Sequence, residues 1–88
     1  MQQISFTAHV FREGPAFVAH APELDVSSCG DTADEARRNL KDAVVGFLEA
    51  AEELGNLSEV LVEAGYRRER DGWVAPEFVS LDRMAVGF

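Results

Sequence analysis

The apolar spacing of this chain changes once, at Gly30-Asp31-Thr32. Before that point apolar side chains recur at every second residue, and after it at every third or fourth. A period of two belongs to a half-buried strand and a period near 3.6 to an amphipathic helix, so the chain must place strands and then a helix on one core. Thr32 followed by Glu35 forms a capping box, in which each side chain is set to satisfy a backbone amide of the other's residue. Behind it Ala36, Leu40, Ala43, Phe47, Ala50 and Leu54 recur in steps of three and four, flanked by Ala33, Val44, Leu48 and Ala51. This stripe predicts a long helix lying on a sheet, with Asp34, Arg37, Arg38, Lys41, Asp42, Glu49, Glu52 and Glu53 on its outside. Gly46 inside that helix costs about 1 kcal/mol relative to alanine. The cost is tolerable if Gly46 permits close helix–sheet packing. Gly55 is the expected stop.

Upstream, Ile4, Phe6, Ala8 and Val10 alternate with Ser5, Thr7 and His9, which predicts a first strand over 4–10. Glu13-Gly14-Pro15 reads as a hairpin loop and Ala16 to Ala21 as the second strand. Pro22, lacking an amide hydrogen, stops it, and Leu24 to Cys29 forms the third. Downstream, Asn56-Leu57-Ser58-Glu59 opens a shorter helix capped by Asn56 or Ser58, buries Val60, Leu61 and Ala64, and ends at Gly65. Asp71-Gly72 is expected to turn a second hairpin, and Phe78 to Val86 offers a last extended apolar segment. The prediction is an α+β domain over 1–88: a three-stranded antiparallel start, a long helix, a short helix and a C-terminal β-hairpin or strand. The other face of the sheet has no helix left to cover it, which points to self-association or a partner.

Composition narrows the function. The 88 residues are 47% hydrophobic, carry 16 acidic against 8 basic side chains and have a formal net charge of −8. That balance argues against direct nucleic-acid binding, which rests on Lys and Arg neutralising phosphates. It suits a basic partner, or simple solubility. A single cysteine, Cys29, excludes an internal disulfide framework. The chain has neither the start of a signal peptide nor an apolar run long enough to cross a membrane, so a cytoplasmic location is expected.

The strand ending Pro22-Glu23-Leu24, the strand ending Gly30-Asp31-Thr32, the Glu35-Ala36 pair one turn into the helix and the segment Leu57 to Tyr66 together resemble the HicB-like antitoxins over about residues 4–70. The resemblance implies a truncated ribonuclease-H-like fold without nuclease activity. It also implies a function: binding and occluding a small basic HicA-type toxin that cleaves mRNA. Opposite charge would speed that encounter. Many relatives carry a helix-turn-helix or ribbon-helix-helix domain after this one; the residues after Gly65 leave no room for it, which counts against operon autorepression by this chain alone. Short stand-alone members also exist, so a regulatory or ligand-binding module of the same fold with no toxin is the alternative.

Each motif residue also has a local role. Pro22 and Leu24 end a strand and bury its turn, Gly30 allows the bend, and Thr32 with Glu35 caps the helix. Asp34, Asp42, Glu49, Glu52 and Glu53 are the candidate partner-binding residues. No catalytic, metal or cofactor site is expected. A ribonuclease-H-type centre needs converging carboxylates that include one on the first strand. Residues 2–11 hold no Asp or Glu, and Asp25, Asp31, Asp34 and Glu35 gather where acids favour the helix dipole anyway. His9 and His20 could face each other across the first hairpin, but they lack the ligand spacing of a metal motif. Cys29, without a resolving cysteine, is expected to be a buried structural thiol. Arg67, Arg68 and Arg70 are expected to solubilise a hairpin edge. The apolar tail is expected to return to the sheet or to pair with a second subunit in a homodimer.

Overall fold

In the computed structural model, which describes residues 3–88, the chain runs β1 (His9–Glu13), β2 (Ala16–Ala21), β3 (Val26–Gly30), α1 (Ala33–Leu54), α2 (Leu57–Glu63), β4 (Arg67–Glu69) and β5 (Gly72–Val74). β1, β2 and β3 form an antiparallel sheet in that order, and β4 pairs with β5 in a separate two-stranded sheet. This is the expected α+β arrangement. The core lies between one face of the first sheet and the two helices, built from Ala19, Ala21, Leu24, Ala36, Leu40, Val44, Leu61 and Tyr66.

The first strand starts five residues later than the alternation over 4–10 predicts. Pairing sets His9 opposite His20, so continuing the ladder upstream would bring Thr7 opposite Pro22, which has no amide to donate. The Thr7 amide instead donates to the Glu23 carboxylate, at 3.0 Å to each oxygen. Ile4 and Phe6 still pack against the core. The alternation therefore survives at Ile4 and Phe6 where the ladder has stopped, but it breaks next to the Thr7 anchor, where Ala8 is exposed and Thr7 half-buried. At the other end β1 and β2 are joined by Gly14-Pro15, with Glu13 opposite Ala16. Gly14 has φ 62° and Pro15 has negative φ, the pattern of a type II′ hairpin turn, which matches strand twist.

Helix α1 is 22 residues long and begins where predicted. Thr32 Oγ1 accepts from the Glu35 amide at 3.0 Å. The return half of the capping box differs: the Glu35 carboxylate accepts from Asp31 N at 3.2 Å, one residue before the cap. Both helices end in the same way. Asn56 N donates to Ala51 O and Gly55 N to Glu52 O; Tyr66 N donates to Leu61 O and Gly65 N to Val62 O. With Gly55 at φ 78° and Gly65 at φ 93°, these are two Schellman motifs. At the start of α2 it is Asn56, not Ser58, that occupies the cap, and its side chain makes no capping bond.

The buried stripe of α1 is narrower than expected. Ala36, Leu40, Val44 and Ala51 are buried, whereas Ala50 is exposed and Leu54 is 78% exposed. The cause is length. Twenty-two helical residues rise about 33 Å, while a six-residue strand spans about 20 Å, so the last turns of α1 run past the sheet. Gly46 also departs from expectation: a Cβ added there would meet nothing within 4 Å, so this glycine permits no close approach. Gly30 is where close approach is needed. An added Cβ would lie 2.7 Å from the Ala36 amide nitrogen, so Gly30 serves to let the start of α1 sit against the end of β3 rather than to bend the chain.

The second hairpin turns one residue earlier than Asp71-Gly72. Glu69 pairs with Gly72, which leaves Arg70-Asp71 as the turn and puts Gly72 in β5. Neither turn residue has positive φ, so the left-handed geometry that makes Asp-Gly a turn signal is not used. The tail does not return to the sheet. Residues 75–88 form no strand, and Val79, Met84 and Val86 are more than four-fifths exposed.

Candidate partner-binding surface

Asp34, Asp42, Glu49, Glu52 and Glu53 all stand exposed on α1, on the side away from the sheet. The first of them is not a free charge, because Arg37 pairs with Asp34 one turn along. From Asp42 onward the character changes: every charged side chain from Asp42 to Glu63 is acidic. α2 adds Glu59 and Glu63, one turn apart and both exposed. They border a shallow depression of about 360 Å³ whose apolar floor is Val62, with Ser58 beside it. Glu59 and Glu63 were visible in the sequence as an i,i+4 pair. Which surface they join depends on the packing of α2 against α1.

Two of these acids stand at an end of the helix where the backbone disfavours them. The C-terminus of a helix carries partial negative charge, and cations there are stabilising. The last turn of α1 contains no basic residue and does contain Glu52 and Glu53. Local stability does not account for that placement.

The motif residues are structural in position. Leu24 is 7% exposed and packs in the core. Pro22 is exposed in the four-residue β2–β3 loop, where Asp25 takes φ 55° and its carboxylate meets His20 Nε2 at 2.9 Å. Thr32, Glu35 and Gly30 form the junction already described. Glu23, between Pro22 and Leu24, ties this loop to the N-terminal segment: its carboxylate takes both the Thr7 amide and, at 2.6 Å, the Thr7 hydroxyl. Partial burial pushes the Glu23 carboxyl up, but the Thr7 bonds outweigh it and hold the group below its ordinary value. Tyr66 closes the same region by donating its hydroxyl to Ser5 O. Burial, with the Glu23 charge adding to it, raises the Tyr66 phenol to about 12.

The supposed acidic group near the helix start is not one group. Asp25 precedes β3 and Asp31 follows it, so a five-residue strand, about 16 Å, separates them. Among the described residues no three His, Cys, Asp or Glu side chains stand together as a metal site. His9 and His20 do face each other, as the hairpin register allows, with ring centroids 6.4 Å apart. Cys29 is exposed, not buried. Ala19 and Ala21 point to the core, so alternation turns Val18 and His20, and with them Cys29, to the uncovered face. Arg67, Arg68 and Arg70 are exposed on the second hairpin; Arg67 pairs with Glu69, and Arg68 lies 5.1 Å over the Trp73 ring. Among the described residues no helix is long and apolar enough to cross a membrane. Set against known protein families, curated proteins and solved structures, the chain matches none of them.

Proposed function

We propose that this chain is a non-enzymatic binding protein of HicB-like type, with a truncated ribonuclease-H-like fold. It neutralises a small basic HicA-type mRNA-cleaving toxin by covering the toxin's RNA-binding surface, acts in the cytoplasm and is a homodimer. The observation that carries the reading is the run of acids from Asp42 to Glu53 on the outer face of α1, which form no ion pair among the described residues, above all Glu52 and Glu53 at the helix end that disfavours them. Charges kept at a cost to the local fold suit selection for a partner rather than for stability. A cationic ribonuclease surface is attracted to such a face, and the encounter is accelerated by the field of a chain with net charge −8.

The test is co-expression with the product of a short basic reading frame beside its gene. The two proteins are expected to co-purify at low salt and to separate as salt is raised, because screening weakens contacts between exposed charges. Replacing Glu49, Glu52 and Glu53 by glutamine is expected to weaken the complex at least tenfold. Failure of the pair to associate even at low salt would overturn the proposal.

A further inference from the structure

The uncovered face of the first sheet has a specific pattern. Phe11 lies opposite Val18, and Val18 opposite Cys29, giving one apolar row across all three strands. Phe11 is 53% exposed and Cys29 is exposed, and among the described residues the helices pack on the opposite face of the sheet. Apart from the scattered Val45, Leu54 and Val62 on the helices, the longest uncovered apolar stretch is the segment after β5, where Val79, Leu81 and Met84 are 84%, 68% and 87% exposed. A folded monomer of this mass exposes about 5,100 Å². This one exposes 6816 Å², an excess of about 1,700 Å² per chain by that scaling. A standard protein–protein interface buries about 1,600 Å² in total.

We propose that these two surfaces belong to each other across a dimer: residues 78–88 of each copy form an arm that lies over the Phe11–Val18–Cys29 row of the other. This rests on the homodimer reading above and says which surfaces make it. The occupant is a second copy because of charge. The acidic helix face repels itself, whereas the arm, with Asp82 and Arg83, is near neutral, and the row contains no ionised group. The arm is also long enough, since its residues extended reach about 36 Å, against about 10 Å across three strands.

Cys29 supplies the test. With Met84→Cys in the full chain, mild oxidation is expected to give a dimer linked from Cys29 of one copy to the substituted position of the other, identified by peptide mapping and lost in the added Cys29→Ser background. Light scattering on the unmodified protein is run alongside it. A dimer whose cross-links never join these two positions would overturn the arm's placement and leave self-association standing; a monomer would overturn both. The same cross-link formed within one chain, running at monomer mass, would overturn the exchange. In a second variant, Leu81→Glu with Met84→Glu, dimer dissociation is expected to rise at least thirtyfold with an unchanged circular dichroism spectrum. An unchanged dissociation constant would again overturn the proposal.

Discussion

The Glu23 carboxylate receives the Thr7 amide on both oxygens and the Thr7 hydroxyl on one, so three polar contacts fix the N-terminal segment to the β2–β3 loop. Because its folded pKa lies below the ordinary 4.5, the stability it contributes is present above that ordinary value and is lost as pH falls through the folded one. Urea denaturation midpoints are therefore expected to drop as pH falls below the ordinary carboxyl range. Glu23→Gln should flatten that drop; equal slopes in the two proteins would contradict the assignment. Tyr66 works in the opposite direction. Its folded pKa is raised to about 12, so its contribution is complete below the unfolded value near 10 and is lost as pH rises from there through 12. Tyr66→Phe is expected to cost about 1 kcal/mol in denaturant titration at pH 7, the worth of one hydrogen bond. Neither contact could be read from the sequence, since Thr7 and Glu23 are 16 positions apart and Ser5 and Tyr66 are 61. Pro22-Glu23-Leu24 was legible as punctuation, but not as an anchor.

Elements were more legible than their ends. The change of apolar period at Thr32 located α1, and Gly55 and Gly65 marked both helix stops, because caps are local chemistry that a few adjacent residues determine. β1 was misplaced because burial alternation and ladder pairing are separate properties: Ile4 and Phe6 have the first without the second. Glycine was the hardest residue to interpret, since its purpose depends on what lies beside it. Gly30 and Gly46 give opposite expectations in thermal melts. Gly46→Ala, on an open helix surface, is expected to raise stability by about 0.5–1 kcal/mol and Tm by several degrees. Gly30→Ala would push a Cβ against the Ala36 backbone and is expected to cost at least about 1–3 kcal/mol, the usual range for overpacking.

At the scale of the molecule, composition gave the sign of the charge and folding gave its arrangement. Eight of the 16 acids lie on the two helices, and most of the large apolar side chains left exposed belong to the segment after β5, with Phe11 on the sheet face and Val45, Leu54 and Val62 on the helices. The principal extents of 43 × 30 × 21 Å and a radius of gyration of 14.8 Å exceed the ~12 Å expected of a compact chain this long. The acidic candidates were legible as an outer helical face; the Phe11–Val18–Cys29 row was not, because it depends on strand register. If Glu52 and Glu53 are there for a partner, removing their charge has two expected effects. The Glu52→Gln, Glu53→Gln variant should melt no lower than the parent, and by up to a few tenths of a kcal/mol higher, while binding the basic partner less tightly. A lower Tm would assign those acids to the fold instead.

The overhang of α1 beyond the sheet divides that helix in kinetic terms. Its start packs against Gly30 and the strands, and its last turns extend past them on the side where α2 packs. In native-state hydrogen exchange, amides from about Glu49 to Leu54 should therefore open together with α2, at a lower free energy than those from Leu40 to Val44. The acidic end of the helix would then be the part of the molecule free to adjust its shape at low cost while the sheet stays closed.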